Sequence, residues 1–230
     1  MVLTMPSQTK PGEPKSVAVR PPDSREKILE VAEGLFAYGG YAGVGMRQLA
    51  ATVGLSKSSL FHHFPTKREL YAAMLDRVLS RIAAALDAVS DHDAAPAVRL
   101  EEWIDGVVRM LSEDMPAGRL MMRALVDEEP FPAVRLTADA QSDRELMPFE
   151  VRLAGIVDRF RALLEEGIAE GVFRPVSIGD SILSVIGAVV FHFSSGDFGE
   201  ALIGDSIFSH AAVERRRREV SEFIRRGLQA

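Results

Sequence analysis

The chain has 230 residues, 47% of them hydrophobic and 26% charged, a balance that supports a sizeable core and excludes a wholly disordered polymer. It contains no cysteine, which excludes a disulfide framework, a thiolate metal site and a cysteine nucleophile. The net charge of −6 is uneven: residues 1–70 hold nine Lys and Arg against six Asp and Glu, residues 71–230 hold eighteen against twenty-seven, and all five lysines lie in the first 67 residues. A function must explain this basic front on an acidic body.

Residues 1–22 carry Pro6, Pro11, Pro14, Pro21 and Pro22 and no apolar run of signal-peptide length. They read as a disordered tail, or more weakly as a basic arm. Asp23 and Glu26 form a capping box for a first helix, whose stripe is Ile28, Leu29, Ala32, Leu35 and Phe36, closed by Gly39-Gly40. A short helix is expected from Met46 to Val53. Ser56 caps a third that stops before Pro65. Thr66 and Glu69 open a long helix from Lys67 to about Val89. After a break at Asp91-His92-Asp93, helix is expected over 96–111 and 118–126, with a loop over 127–143. A long amphipathic helix follows from about Arg144 to Glu170, bent near Pro148. Ser177 caps an apolar helix to about Phe193. Gly196, Gly199 and Gly204 mark a loop, and a charged helix spans 212–226. No stretch has the alternation of a strand, so the fold is expected to be all-α. The longest apolar run, Ile182 to Phe193, is about half of what a bilayer crossing needs. A soluble, cytoplasmic protein with no membrane partner is the expectation.

Chemistry concentrates in Leu49 to Leu60. Ala50 is small where two helices cross, Gly54 supplies a left-handed turn, and Leu55 and Leu60 anchor the second helix. That helix exposes Lys57, Ser58, Ser59, His62 and His63, donors and acceptors suited to groove edges and phosphates. This is a helix-turn-helix pattern. With Ile28-Leu29, Ala32, Leu35-Phe36, Gly40-Tyr41, Met46 to Ala50 and Gly54 to Lys67, residues 25–70 resemble the DNA-binding domain of the tetracycline-repressor (TetR) family. The resemblance implies a three-helix head over 23–68 and a helical ligand-binding and dimerisation body over 69–230. It implies that Arg47 meets a base or phosphate and that Lys57, Ser58 and Ser59 face the groove. His62 and His63 would lie at its wall, and Lys67 would neutralise a phosphate. Phe61 stands where the family usually has a tyrosine, so one phosphate hydrogen bond is in question. Gly45 stands where a Ser/Thr cap is usual.

The resemblance further implies a homodimer on a near-palindromic operator, released by a small, largely apolar inducer. Leu153, Ile156, Phe160 and Leu164 on one helix, with Leu183, Ile186, Gly187 and Val190 on the next, are carried over as its interface. Trp103, Val107, Met110, Leu111, Met121, Met122, Leu125 and Phe131 form a Met- and aromatic-rich stretch that reads either as a ligand pocket or as plain core. No cofactor motif is present. Gly40 to Gly45 imitates a phosphate loop but lacks its Lys-Ser/Thr, and the histidines have no metal-ligand spacing. No nucleophile motif is present either, so a catalytic role is not expected. The competing reading is a helical enzyme or binding protein that uses the body cavity without reading DNA. The run Arg215 to Arg218 lies beside Glu214, Glu219 and Glu222 and reads as a solvated face or a set of i, i+4 salt bridges.

Overall fold

The apolar stripe of the first helix does what its spacing demands. In α1 (Ser24–Gly43) Ile28, Leu29, Ala32 and Phe36 are buried. The structure, a computed structural model, describes residues 24–88, 93–127, 129–131, 136 and 145–230. The proline-rich tail, the Asp23 cap, His92 and most of the expected 127–143 loop lie outside the described residues. Helical geometry breaks at Gly40 (φ 67°), close to the expected stop, and one further turn runs to Gly43. α2 (Met46–Val53) ends at Gly54 in the left-handed region (φ 80°), which glycine enters without a Cβ clash. The Leu55 amide then donates to the Ala50 carbonyl at 2.9 Å and turns the chain into α3 (Lys57–His63). Ser56 caps α3 by accepting from the Ser59 amide at 3.1 Å. Thr66 caps α4 (Lys67–Asp87) by accepting from the Glu69 amide at 3.1 Å.

α4 is the shared axis. Its first turns bury Leu70, Tyr71 and Met74 beneath α1; its later turns bury Val78, Leu79, Ile82 and Leu86 against the rest of the protein. There it meets α5 (Pro96–Glu113), α6 (Met115–Val126) and α7 (Pro148–Ala169). α6 begins three residues earlier than expected because Pro116 occupies the first turn, where its missing N–H costs nothing. α7 starts at Pro148 for the same reason, and the buried Glu150 carboxylate accepts from the Met147 amide at 2.8 Å. Pro148 therefore opens the helix and does not bend it.

α8 (Ile178–Ser194) packs on α6 and α7. The segment expected to be a loop forms a short helix, α9 (Asp197–Ile203), with Asp197 and Glu200 in its first turn where the helix dipole favours carboxylates. Ser209 caps α10 (His210–Leu228), which lies along α5. Every regular element among the described residues is a helix; one isolated bridge joins Phe173 to Gln229. Among those residues no single helix is long and apolar enough to cross a membrane.

Candidate nucleic-acid interface

α3 is fixed by one residue and free on the rest. Leu60 is fully buried, while Lys57, Ser58, Ser59 and His62 are exposed and His63 is half-buried. The three serines are linked: the Ser56 hydroxyl lies 2.9 Å from that of Ser58 and 2.8 Å from that of Ser59. Their hydroxyls are thereby ordered at the helix start, with donors and acceptors turned outward. The Lys57 ammonium sits 5.4 Å from the centre of the half-buried Phe61 ring. Phe61 thus supports a cation instead of offering the hydroxyl of a tyrosine. Arg47 is exposed at the start of α2, where Gly45 gives no side-chain cap.

Lys67 departs from the simple picture of a free phosphate contact. It is half-buried, with its ammonium 4.3 Å from the Tyr41 ring centre and 6.0 Å from that of Phe36. Burial lowers its pKa, against the opposing pull of Glu129. Lys67 therefore presents a cation held on an aromatic platform. Two residues escaped the sequence reading. Tyr41, part of the family pattern in the sequence, builds that platform. Arg25 stacks over Phe64 at 5.0 Å beside the end of α3; its signal was an arginine in the first turn of α1, where a cation is disfavoured by the dipole.

The head is tied to the body by polar contacts. Glu33, buried on α1, accepts from Arg77 at 2.6 Å and from Arg81 at 2.8 Å, both on α4. Arg81 also pairs with Asp114 at the α5–α6 junction. From α6, Arg123 donates to the Ala37 carbonyl at 3.1 Å and Arg119 stacks over Tyr38.

Behind these contacts lies an apolar cavity of about 80 Å³ among α4, α5, α6, α7 and α8. Of the expected pocket residues, Val107, Met121 and Leu125 line it. Trp103 stands behind the wall, its ring 5.2 Å from Phe160. Met110 faces a surface groove, Leu111 is wholly in the core and Met122 packs against the core, while Phe131, tilted against Phe149 and Tyr71, lines a wider recess adjoining the cavity. The cavity is instead completed by Leu153, Ile156, Phe160, Ile186 and Val190, which were expected at the dimer interface. Leu164, expected there too, is 1% exposed. Only Leu183 and Gly187 of that set are exposed. α7 and α8 are apolar on several sides, so periodicity could not say which stripe faces inward.

His192, on the side of α8 toward α10, has its pKa lowered to about 4, by burial first and then by Arg216 and Arg215. Among the described residues no group of three His, Cys, Asp or Glu is placed to hold a metal ion.

Comparison with known proteins agrees with this architecture. Residues 28–74 match the family model "Bacterial regulatory proteins, tetR family", and residues 139–224 match "Tetracyclin repressor-like, C-terminal domain". The chain is 27% identical over 208 residues to the HTH-type transcriptional regulator RutR of Escherichia coli (strain K12), covering 87% of this chain and 90% of that protein. It is 32% identical over 141 residues to the HTH-type transcriptional repressor Rv3405c of Mycobacterium tuberculosis, covering 58% of this chain and 69% of that one. The fold is similar to that of the ketosteroid transcriptional regulator KstR2 of Mycobacterium tuberculosis, with a TM-score of 0.69, 18% identity, and coverage of 94% and 100%. A capped, outward-facing second helix on a head that matches one family model, joined to a helical body that matches another, leads to one assignment: the chain belongs to the tetR family of helix-turn-helix transcriptional regulators.

Proposed function

We propose that the protein is a cytoplasmic, homodimeric repressor that binds a near-palindromic operator and leaves it when a small molecule fills the cavity. The head of residues 23–68 reads DNA; the body of residues 69–230 senses and dimerises; no catalytic step is assigned to either. The observation that carries the reading is the exposed edge of α3, Lys57 to Ser59 with His62, standing on a buried Leu60. Lys57, Ser58 and Ser59 meet base edges or adjacent phosphates. Arg47, His62, His63 and Lys67 line the backbone wall, and Phe61 steadies Lys57. Two such helices about 34–36 Å apart meet successive major grooves. Release is a population shift: α4 and α6 both line the cavity and both touch α1, so a ligand that prefers one spacing of the heads weakens DNA binding.

The test is fluorescence anisotropy with the duplex upstream of the protein's own gene. Lys57→Ala weakens binding by about 1–3 kcal/mol and relaxes preference at one position per half-site. Lys67→Ala weakens all duplexes alike and lowers the salt slope by about one ion. Equal losses on operator and random DNA from Lys57→Ala would sink the assignment of α3.

A further inference from the structure

We infer that the ligand is a short aliphatic chain ending in an anionic head, with the chain in the apolar cavity and the head at Arg161. The inference rests on the reading of the body as a sensor and names the chemistry it senses. Every residue lining the cavity is apolar, from Leu79 and Ile82 on α4 to Val189 and Val190 on α8. A polar group placed there without a partner costs roughly 2–7 kcal/mol, so what enters is hydrocarbon. An apolar cavity of about 150 Å³ takes benzene. One of about 80 Å³ takes roughly three or four carbons on that same scale.

The cavity is not sealed. It shares Leu125, Leu153, Val157, Ile182 and Ile186 with a wider recess of about 470 Å³ that reaches the surface. The recess continues the apolar wall through Leu136 and then, among the described residues, meets two charges, Asp127 and Arg161. Asp127 is already engaged by Arg123 at 3.3 Å. Arg161 has only a loose contact, 3.7 Å to Asp158, with both side chains largely exposed. Such a pair contributes little and yields readily to a better partner. Among the described residues the mouth therefore offers one available cation at the end of an apolar bore. A guanidinium fork matches a carboxylate or a phosphate in two parallel hydrogen bonds.

Calorimetric titration of the full chain with straight-chain carboxylates of two to twelve carbons tests the inference, with alcohols of equal length as neutral controls. Affinity is expected to rise about fourfold per methylene over the roughly three or four carbons the enclosed cavity holds and to level off as the chain passes into the open recess. Arg161→Ala is expected to weaken carboxylates about three- to tenfold and to leave alcohols unchanged. Val107→Phe, which fills the bore, is expected to abolish both; Arg161→Ala, on the surface, keeps the test open should that variant not fold. Alcohols that match the acids, affinity that climbs through ten carbons, or no binding of any chain overturns the inference. Operator binding is measured on the same sample. A protein that binds its operator but no alkyl acid loses only this inference, whereas one that ignores DNA loses the regulatory reading as well.

Discussion

Glu33 is a charge on an apolar stripe, one residue from the buried Ala32 and three before Phe36. A lone carboxylate there would be costly, and two arginines from α4 remove the cost. It works as a bolt between head and body because Arg81 passes the connection on to Asp114. His192 is a contrasting case. Its imidazole is pushed down to about 4 by burial and by Arg216 and Arg215, so it stays neutral in the fold. The unfolded chain takes up a proton near pH 6.5 and the folded chain does not until about pH 4. Stability from this residue is thus fully present above pH 6.5 and is lost as pH falls toward 4. Thermal melts from pH 7 to 4 are expected to fall less steeply for His192→Gln than for the parent. Parallel slopes would show that the site does not titrate as its surroundings require.

At the scale of elements, close approach sets the geometry. A Cβ on Gly118 of α6 would lie 2.9 Å from the Phe193 Cβ and 3.2 Å from its carbonyl carbon, so neither helix can yield by moving a side chain alone. Gly118→Val is expected to cost about 1–3 kcal/mol in urea unfolding. It should also loosen the Arg123 contact to α1, read as weaker operator affinity at temperatures where the protein is still folded. A melting midpoint equal to the parent's would contradict the α6–α8 crossing. The same elements mark how far sequence carries. Ser56, Thr66, Gly54 and Pro65 bounded α3 and α4 correctly because caps and breakers act locally. α9 is not legible in the sequence because three glycines lie close together and lower helix propensity; Gly196 and Gly204 turn out to be its caps, and only Gly199 lies within it. The exposed edge of α3 was legible because a helix of seven residues anchored by Leu60 has few ways to turn. The cavity was not: its walls come from five helices, and whether Ile156 or Leu183 points inward depends on crossings that no single helix encodes.

At the scale of the whole molecule, the enclosed cavity claims one side of α8; the other side is open, and its Leu183 also edges the recess at the cavity's mouth. Leu183 is 68% exposed and Phe191 51% exposed, with Gly187 between them at helical spacing, and Phe223 of α10 is exposed nearby. Such a stripe on a helix of this apolarity calls for a cover. The second copy proposed above would meet that need, with the symmetry of the proposed near-palindromic operator. Gly187 discriminates this from a surface that merely happens to be greasy. Nothing in the protomer lies within 4 Å of a Cβ placed there, so a large side chain costs the isolated fold little. If two copies of α8 cross at that point, the same side chain holds the backbones apart. Gly187→Leu is therefore expected to leave the helical circular-dichroism spectrum intact, shift the mass in light scattering from dimer toward monomer, and weaken operator binding at least tenfold, since one half-site alone cannot hold the protein. The variant adds apolar surface, so a rise in nonspecific stickiness would deepen self-association and not dissolve it. A dimer of unchanged mass and operator affinity would move the interface away from α8, and with it the spacing of the two recognition helices.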